Sequence, residues 1–252
     1  RRRGYLYGAS FLLVVAFLIA ACSPVRAPAT QTAPTPATSP GTAAAGSSVL
    51  KPIDQAALQA VVDKTAEELL VPGAVVLVRT PQGEFIATHG TTELGASSPP
   101  SADTHFRIAS NTKTMTAALI MELAQEGKLS LDDPVSKYVP DVPDGDNITL
   151  AELLEMRSGL YNYTEAPEVA ESSDRDPSKA WSPAEVLAIA FARPANFAPG
   201  TSFEYNNTNY VLLGLVAEKV DGKPLAQAMQ DRLFEPLGLQ HTVLPANDVN
   251  TL

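Results

Sequence analysis

Two runs rich in β-branched and apolar residues, Ala74 to Arg79 and Glu84 to His89, flank the link Thr80-Pro81-Gln82-Gly83. Proline and glycine in so short a link favour a tight reversal, so the pair predicts an antiparallel hairpin. A helix is expected before it, from Pro52 to Leu70, with Ile53, Leu58, Val61, Thr65 and Leu69 on one face and Pro72-Gly73 as the stop. After an irregular stretch the pattern turns helical. Thr149 with Glu152, and Ser182 with Glu185, have capping-box spacing, and Pro183 suits a first helical turn. Gly127 and Gly222 each close a helical pattern where a left-handed cap is needed. Helix, hairpin, then many helices is the order of a mixed α/β (α+β) fold. The expectation is an antiparallel sheet flanked by helices plus an inserted all-helical subdomain.

The first fifty residues have a different composition. Arg1 to Arg3 precede an apolar run from Tyr5 to Ala21, short for a membrane span of about 20 residues and suited to a secretory signal. Ile19-Ala20-Ala21-Cys22 resembles the bacterial lipobox, in which the cysteine is lipidated and becomes the new N-terminus; an uncleaved signal anchor is the alternative. Ser23 to Ser48 is rich in Pro, Ala, Thr and Ser, with Arg26 as its one charge and no aromatic residue. Such a stretch buries too little apolar area to offset its ordering entropy, and it reads as a tether. The expected organisation is a signal peptide over 1–21, a tether over 22–50 and a folded domain over 51–252, working outside the cytoplasm.

Bulk properties narrow the function classes. The chain has 252 residues, 45% of them hydrophobic, enough for a sizeable core. A net charge of −10 argues against nucleic acid as a partner. One cysteine permits no internal disulfide. His89, His105 and His241 are far apart, and no HExxH or CxxC pattern occurs, so neither a metal nor another cofactor is expected.

The residues with chemical promise begin at Ser110-Asn111-Thr112-Lys113. A serine hydroxyl is a weak nucleophile until a base takes its proton, and a lysine three residues later on a helix stands on the same face. A serine at a helix N-terminus also gains from the positive end of the dipole. Met115, Leu119, Ile120 and Leu123 then recur at helical spacing up to Gly127. The lysine must lose its proton to act as a base, which burial would encourage. SxxK alone is weak: Ser48-Val49-Leu50-Lys51 also fits, but lies in the tether and runs into Pro52. Ser110 by itself reads better as an ordinary N-cap. Tyr205-Asn206-Asn207 strengthens the case, following Pro199-Gly200-Thr201 and preceding an apolar helix from Tyr210 to Val220. A phenol depressed by a nearby ammonium could shuttle a proton between Ser110, Lys113 and a leaving group, and the Asn207 amide could bind Lys113 and substrate. Taken alone, the triplet is also a turn tyrosine with a capping asparagine.

His105-Phe106-Arg107-Ile108-Ala109-Ser110-Asn111-Thr112-Lys113 resembles the first motif of the class C β-lactamase and DD-peptidase superfamily. Glu126 to Val135 is similar to its usual continuation. Arg157-Ser158-Gly159-Leu160-Tyr161-Asn162-Tyr163-Thr164 resembles a segment of secreted D-alanyl-D-alanine carboxypeptidases, and Phe197 to Gly214 resembles the Tyr-x-Asn region. The resemblance runs from about Ile53 to Leu244 in the family's order. It implies acylation of Ser110 by a peptide or β-lactam carbonyl, then hydrolysis, with Lys113 and Tyr205 catalytic and Asn207 substrate-binding. A D-alanyl-D-alanine carboxypeptidase acting on peptidoglycan stem peptides is the first choice. A class C-like β-lactamase and an esterase are close rivals, and a non-catalytic lipoprotein binding cell-wall fragments or β-lactams is the rival of another class. Lipidated Cys22 would hold any of these at a membrane. No Gly-x-Ser-x-Gly elbow supports an α/β-hydrolase triad. Glu165, Glu168, Glu171, Asp174 and Asp176 read as a solvated acidic loop rather than a hidden base.

The family's third motif, Lys or His followed by Ser/Thr and Gly on a sheet-edge strand, is not found; His241-Thr242 is followed by Val243. In the family that strand supplies one oxyanion N–H, Ser110 the other, and loss of one donor costs about 10²- to 10³-fold in rate. The expectation is therefore a chain missing its C-terminal strands and helix, a fragment at both ends, inactive or poorly folded alone. Unpaired strand edges and bare apolar faces should mark the hairpin.

Overall fold

A computed structural model describes residues 50–245. The expected signal peptide, nearly all of the tether, and Cys22 lie outside the described residues.

Helix α1 spans Gln55–Glu68 and starts where Asp54 Oδ1 accepts from the N–H groups of Ala56 and Ala57, at 2.9 and 3.1 Å. It ends as Leu70 turns left-handed (φ 55°) and Val71 N–H closes on Ala66 O. Its inner face differs from the expected one. Val61 and Leu69 are 63% and 70% exposed, whereas Val62 and Ala66 are buried. Polar side chains shift the register. Gln55 and Gln59 donate to the carbonyls of Ile86 and Thr88 at 2.7 and 2.8 Å, and Asp63 meets His89 Nδ1 at 2.9 Å. Hydrogen bonds to a strand backbone thus outweigh the apolar stripe read from periodicity.

Strands β1 (Gly73–Thr80) and β2 (Gly83–Gly90) form the expected antiparallel hairpin, from Gly73 opposite Gly90 to Thr80 opposite Gly83. Pro81 and Gln82 make the turn. Ala87 is buried, while the cross-strand pair Leu77 and Ile86 is 49% and 37% exposed. Among the described residues the sheet has these two strands, with α1 packed on β2.

The rest is helical: α2 (Thr112–Gln125), α3 (Leu150–Leu154), α4 (Pro167–Arg175), α5 (Pro183–Phe191), α6 (Asn207–Asp221) and α7 (Leu225–Met229), the last running into a π turn, Gln230–Phe234. Both capping boxes form, on α3 and α5. Gly127 and Gly222 adopt the left-handed conformation expected of them, with φ of 71° and 72°. The acidic stretch is a helix, α4, rather than a loop. Pro167 starts it, Glu168 and Arg175 suit its dipole ends, and Val169 and Ser172 are buried. Its acids remain solvated, and Glu168 pairs with Arg193 at 2.7 Å.

The core sits between α2, α3, α6 and α7. Leu119, Ile120 and Leu123 of α2 meet Leu150, Leu153, Leu212, Leu213, Val216, Met229 and Phe234, all at most 2% exposed. Each such side chain contributes roughly 1.5–3 kcal/mol through burial. The core's polar edge is an ionic knot. Arg232 donates to Asp221 at 2.6 Å, Glu126 at 2.8 Å and Glu122 at 3.3 Å, joining the C-terminal ends of α2 and α6 to the π turn.

Three carboxylates predict acid sensitivity. Arg232 and Lys128 hold Glu126 at about 2. Lys137, Tyr138 and the Ser130 N–H hold Asp133 at about 2. Arg232 lowers Asp221. Groups depressed in the folded state stabilise it above their unfolded values of 4.5 and 3.8, and that contribution fades as pH falls toward about 2. Thermal unfolding followed by circular dichroism should show a flat melting temperature from pH 7 to 5 and a steep fall below 4.5. A melting temperature unchanged at pH 2.5 would contradict the knot.

Candidate active site

Ser110 lies in a 3₁₀ turn, Ala109–Asn111, one step ahead of α2 rather than inside it. Asn111 pins the turn by donating to Ile108 O from both its backbone and its side chain, at 3.0 and 2.9 Å. Ala109 takes φ 44°, an uncommon backbone for a residue with a Cβ, costing about 1–2 kcal/mol. The strain stands directly before the candidate nucleophile, where the packed helix behind it holds the turn in place. Lys113, one turn on, is half-buried, and its Nζ donates to Ser110 Oγ at 3.2 Å.

The second arm comes from 94–95 residues downstream. Tyr205 Oη donates to Ser110 Oγ at 2.6 Å, and Asn207 Oδ1 accepts from Lys113 Nζ at 2.7 Å. Lys113 Nζ also lies 4.8 Å from the centre of the Tyr205 ring. The structure thus brings together Ser110, Lys113, Tyr205 and Asn207. The Lys113 ammonium, with a smaller contribution from the Ser110 hydroxyl, holds the Tyr205 phenol below its usual range. A phenol so lowered and 2.6 Å from Ser110 Oγ has the reach and acidity that proton exchange with a hydroxyl needs. His241 stands edge-on to His105, ring centres 6.5 Å apart. Among the described residues no group of three metal-ligating side chains gathers.

What fixes Tyr205 and Asn207 is a seam of polar bonds between Leu153–Thr164 and the start of α6. Asn206 donates to Leu160 O at 2.5 Å, and Asn207 N–H to Asn162 Oδ1 at 3.1 Å. Thr208 Oγ1 donates to Tyr161 O, Ser158 Oγ to Asn209 Oδ1, and Tyr210 Oη to Leu154 O. Asn206, Thr208 and Asn209 are at most 2% exposed, so each bond offsets a desolvation cost of about 1–3 kcal/mol. Gly159 lets the seam close: at φ 75°, a Cβ there would collide with the carbonyl of Phe197.

From sequence, Arg157 to Thr164 carries a resemblance, and neither it nor Asn206 carries a supporting role for the site. A signal existed, since Asn206-Asn207-Thr208-Asn209 is a polar run opening an otherwise apolar helix, and buried polar groups need partners. Asn162 and Thr164 also orient the Asn207 amide. Asn207 Nδ2 donates to Thr164 Oγ1 at 3.0 Å and lies 3.4 Å from Asn162 Oδ1, which turns its oxygen toward Lys113. Thr164→Val removes one such bond and should lower kcat about tenfold with little change in melting temperature. Unchanged kcat would show that the amide holds its orientation without Thr164.

A serine flanked by a lysine and a tyrosine at a helix start, on a mixed α/β scaffold, has the groups that serine acyl transfer requires. The family described as Beta-lactamase matches residues 58–250, and the chain belongs to it. Relatives and structural neighbours of the chain include a penicillin-binding protein and D-amino acid amidases. It is 32% identical over 194 residues to Protein flp of Staphylococcus aureus (strain MW2), covering 75% of this chain and 38% of that protein. Among solved structures, a D-stereospecific amidohydrolase from a Streptomyces species superposes with a TM-score of 0.62 at 36% identity, over 74% of this chain and 54% of that one. A penicillin-binding protein from Bacillus halodurans superposes at 0.60 and 30%, over 73% and 57%. The chain thus spans little more than half of these structures and a smaller share of the curated relative.

Proposed function

We propose that Ser110 is the nucleophile of a D-alanyl-D-alanine carboxypeptidase-like hydrolase, anchored outside the cytoplasm through lipidated Cys22 and acting on peptidoglycan stem peptides. The observation that carries the catalytic part is the convergence of Tyr205 Oη and Lys113 Nζ on Ser110 Oγ, at 2.6 and 3.2 Å. With Tyr205 as the phenolate, Ser110 attacks the peptide carbonyl, its proton passes to Tyr205 Oη, and negative charge gathers on the carbonyl oxygen. The positive end of α2 faces charge developing at Ser110. Tyr205 then protonates the leaving amine, the C–N bond breaks, and an ester to Ser110 remains. Water hydrolyses that ester with Tyr205 as base in reverse sense. Lys113 keeps the phenol acidic and is itself held by Asn207.

A second reading is hydrolysis of D-amino-acid amides, favoured by the 36% identity to the Streptomyces D-stereospecific amidohydrolase. The full-length protein separates them. Release of D-alanine from a D-Ala-D-Ala peptide should exceed cephalosporin opening, short-chain ester cleavage and D-amino-acid amide hydrolysis in kcat/KM, and Ser110→Ala should abolish it. Preference for amide or cephalosporin would sink the carboxypeptidase reading while keeping Ser110. In a bacterial host, labelled fatty acid should enter the protein and be lost in Cys22→Ser; labelling unaffected by that change would refute the anchor.

A further inference from the structure

A groove of about 400 Å³ opens at Ser110 and Asn207 and follows one face of α6 through Val211 and Leu215 to Glu218. Tyr163, Pro183 and Leu225 complete walls that are mostly apolar. Eleven residues separate Asn207 from Glu218, about 16 Å of helix at 1.5 Å per residue. Glu218 is half-buried, and Oε1 accepts from Leu225 N–H at 2.8 Å. Among the described residues Oε2 has neither a hydrogen bond nor a cation, unlike the carboxylates of the ionic knot.

We propose that this groove is an acyl-donor subsite for an elongated substrate: an apolar body against Val211 and Leu215, ending in an ammonium or guanidinium that meets Glu218. The proposal rests on the reading of Ser110 as nucleophile, since the groove begins there. The physical reason is complementarity. A half-buried carboxylate at the far end of an apolar groove, with one oxygen free of any cation among the described residues, is complementary to a cation delivered by the bound molecule. Its fixed distance from Ser110 also makes it a ruler for the length of the acyl group.

The test uses the full-length protein and three esters with one common alcohol: acetyl, a long acyl chain of about eleven carbons ending in methyl, matched to the roughly 16 Å run of α6, and the same chain ending in an ammonium. Wild type should prefer both long donors over acetyl, and the ammonium-ended one most. Glu218→Gln should lower kcat/KM for the ammonium-ended donor about tenfold and leave the other two unchanged. Leu215→Trp should lower both long donors and spare acetyl. If Glu218→Gln changes both long donors equally, or neither, the groove proposal fails while Ser110-dependent acetyl cleavage keeps the catalytic reading intact. If Ser110→Ala leaves acetyl cleavage untouched, both readings fall.

Discussion

Alanine in place of Lys113 should lower the acylation rate by about 10³-fold, the middle of the range for a positioned proton-transfer system. On the proposed assignment Lys113 has two tasks, and one substitution removes both. Its Nζ donates to Ser110 Oγ at 3.2 Å, and its charge lowers the Tyr205 phenol. The second task gives a signature that a structural role would not. Tyr205 must be deprotonated to accept the Ser110 proton, so the rate rises with pH through the folded value of the phenol. Without the ammonium that value climbs, and the rising limb of the pH profile moves to higher pH. Single-turnover acylation by a fluorescent penicillin, followed from pH 6 to 11, reads both effects. A loss of rate with an unshifted profile would remove Tyr205 from the base role.

The largest expected effect on stability lies far from that chemistry. Arg232→Ala should destabilise the fold by about 3 kcal/mol, because Asp221, whose side chain is 4% exposed, loses its closest cation. Asp221 Oδ2 already has no hydrogen-bond partner, which leaves little to absorb the loss. Among the described residues Lys128, at 3.7 Å from Asp221, is the one cation in ion-pair range that remains, and it is shared with Glu126. Arg232→Ala/Asp221→Leu should recover much of the stability, since an apolar pair of similar volume costs less than a stranded carboxylate. Urea unfolding of the three proteins decides it. A single variant as stable as wild type would mean that solvent already screens the knot.

Local rules reached far into this chain where chemistry is local. The hairpin over Pro81-Gln82, the capping boxes at Thr149 and Ser182, and the left-handed glycines 127 and 222 each depend on neighbours within a few residues. They were legible for that reason. The stripe on α1 was misread because Gln55, Gln59 and Asp63 bond to β2, and periodicity counts only apolar side chains. In the acidic stretch the charges outnumber the two residues it buries, Val169 and Ser172, which hides its helix from periodicity; Pro167 in the first turn and charges matched to the dipole ends favour those nine residues of helix.

The site divides in the same way. The spacing of Ser110 and Lys113 gains meaning only with the helix behind it, the Tyr205 triplet and the family-like stretches, since Ser48 to Lys51 has the same spacing. The seam that sets the two arms at bonding distance was not legible, because its partners stand 45 to 56 residues apart. Nothing within either segment announces such a pairing.

The central claim, that Ser110 is acylated through Tyr205 and Lys113, is tested most directly by mapping the covalent adduct. The full-length protein, incubated with a fluorescent penicillin, digested and analysed by mass spectrometry, should carry the acyl group on the peptide containing Ser110. Tyr205→Phe should slow its formation, and Ser110→Ala should prevent it while leaving the circular dichroism spectrum unchanged. An adduct on another residue, or substrate turnover by folded Ser110→Ala protein, would contradict the account.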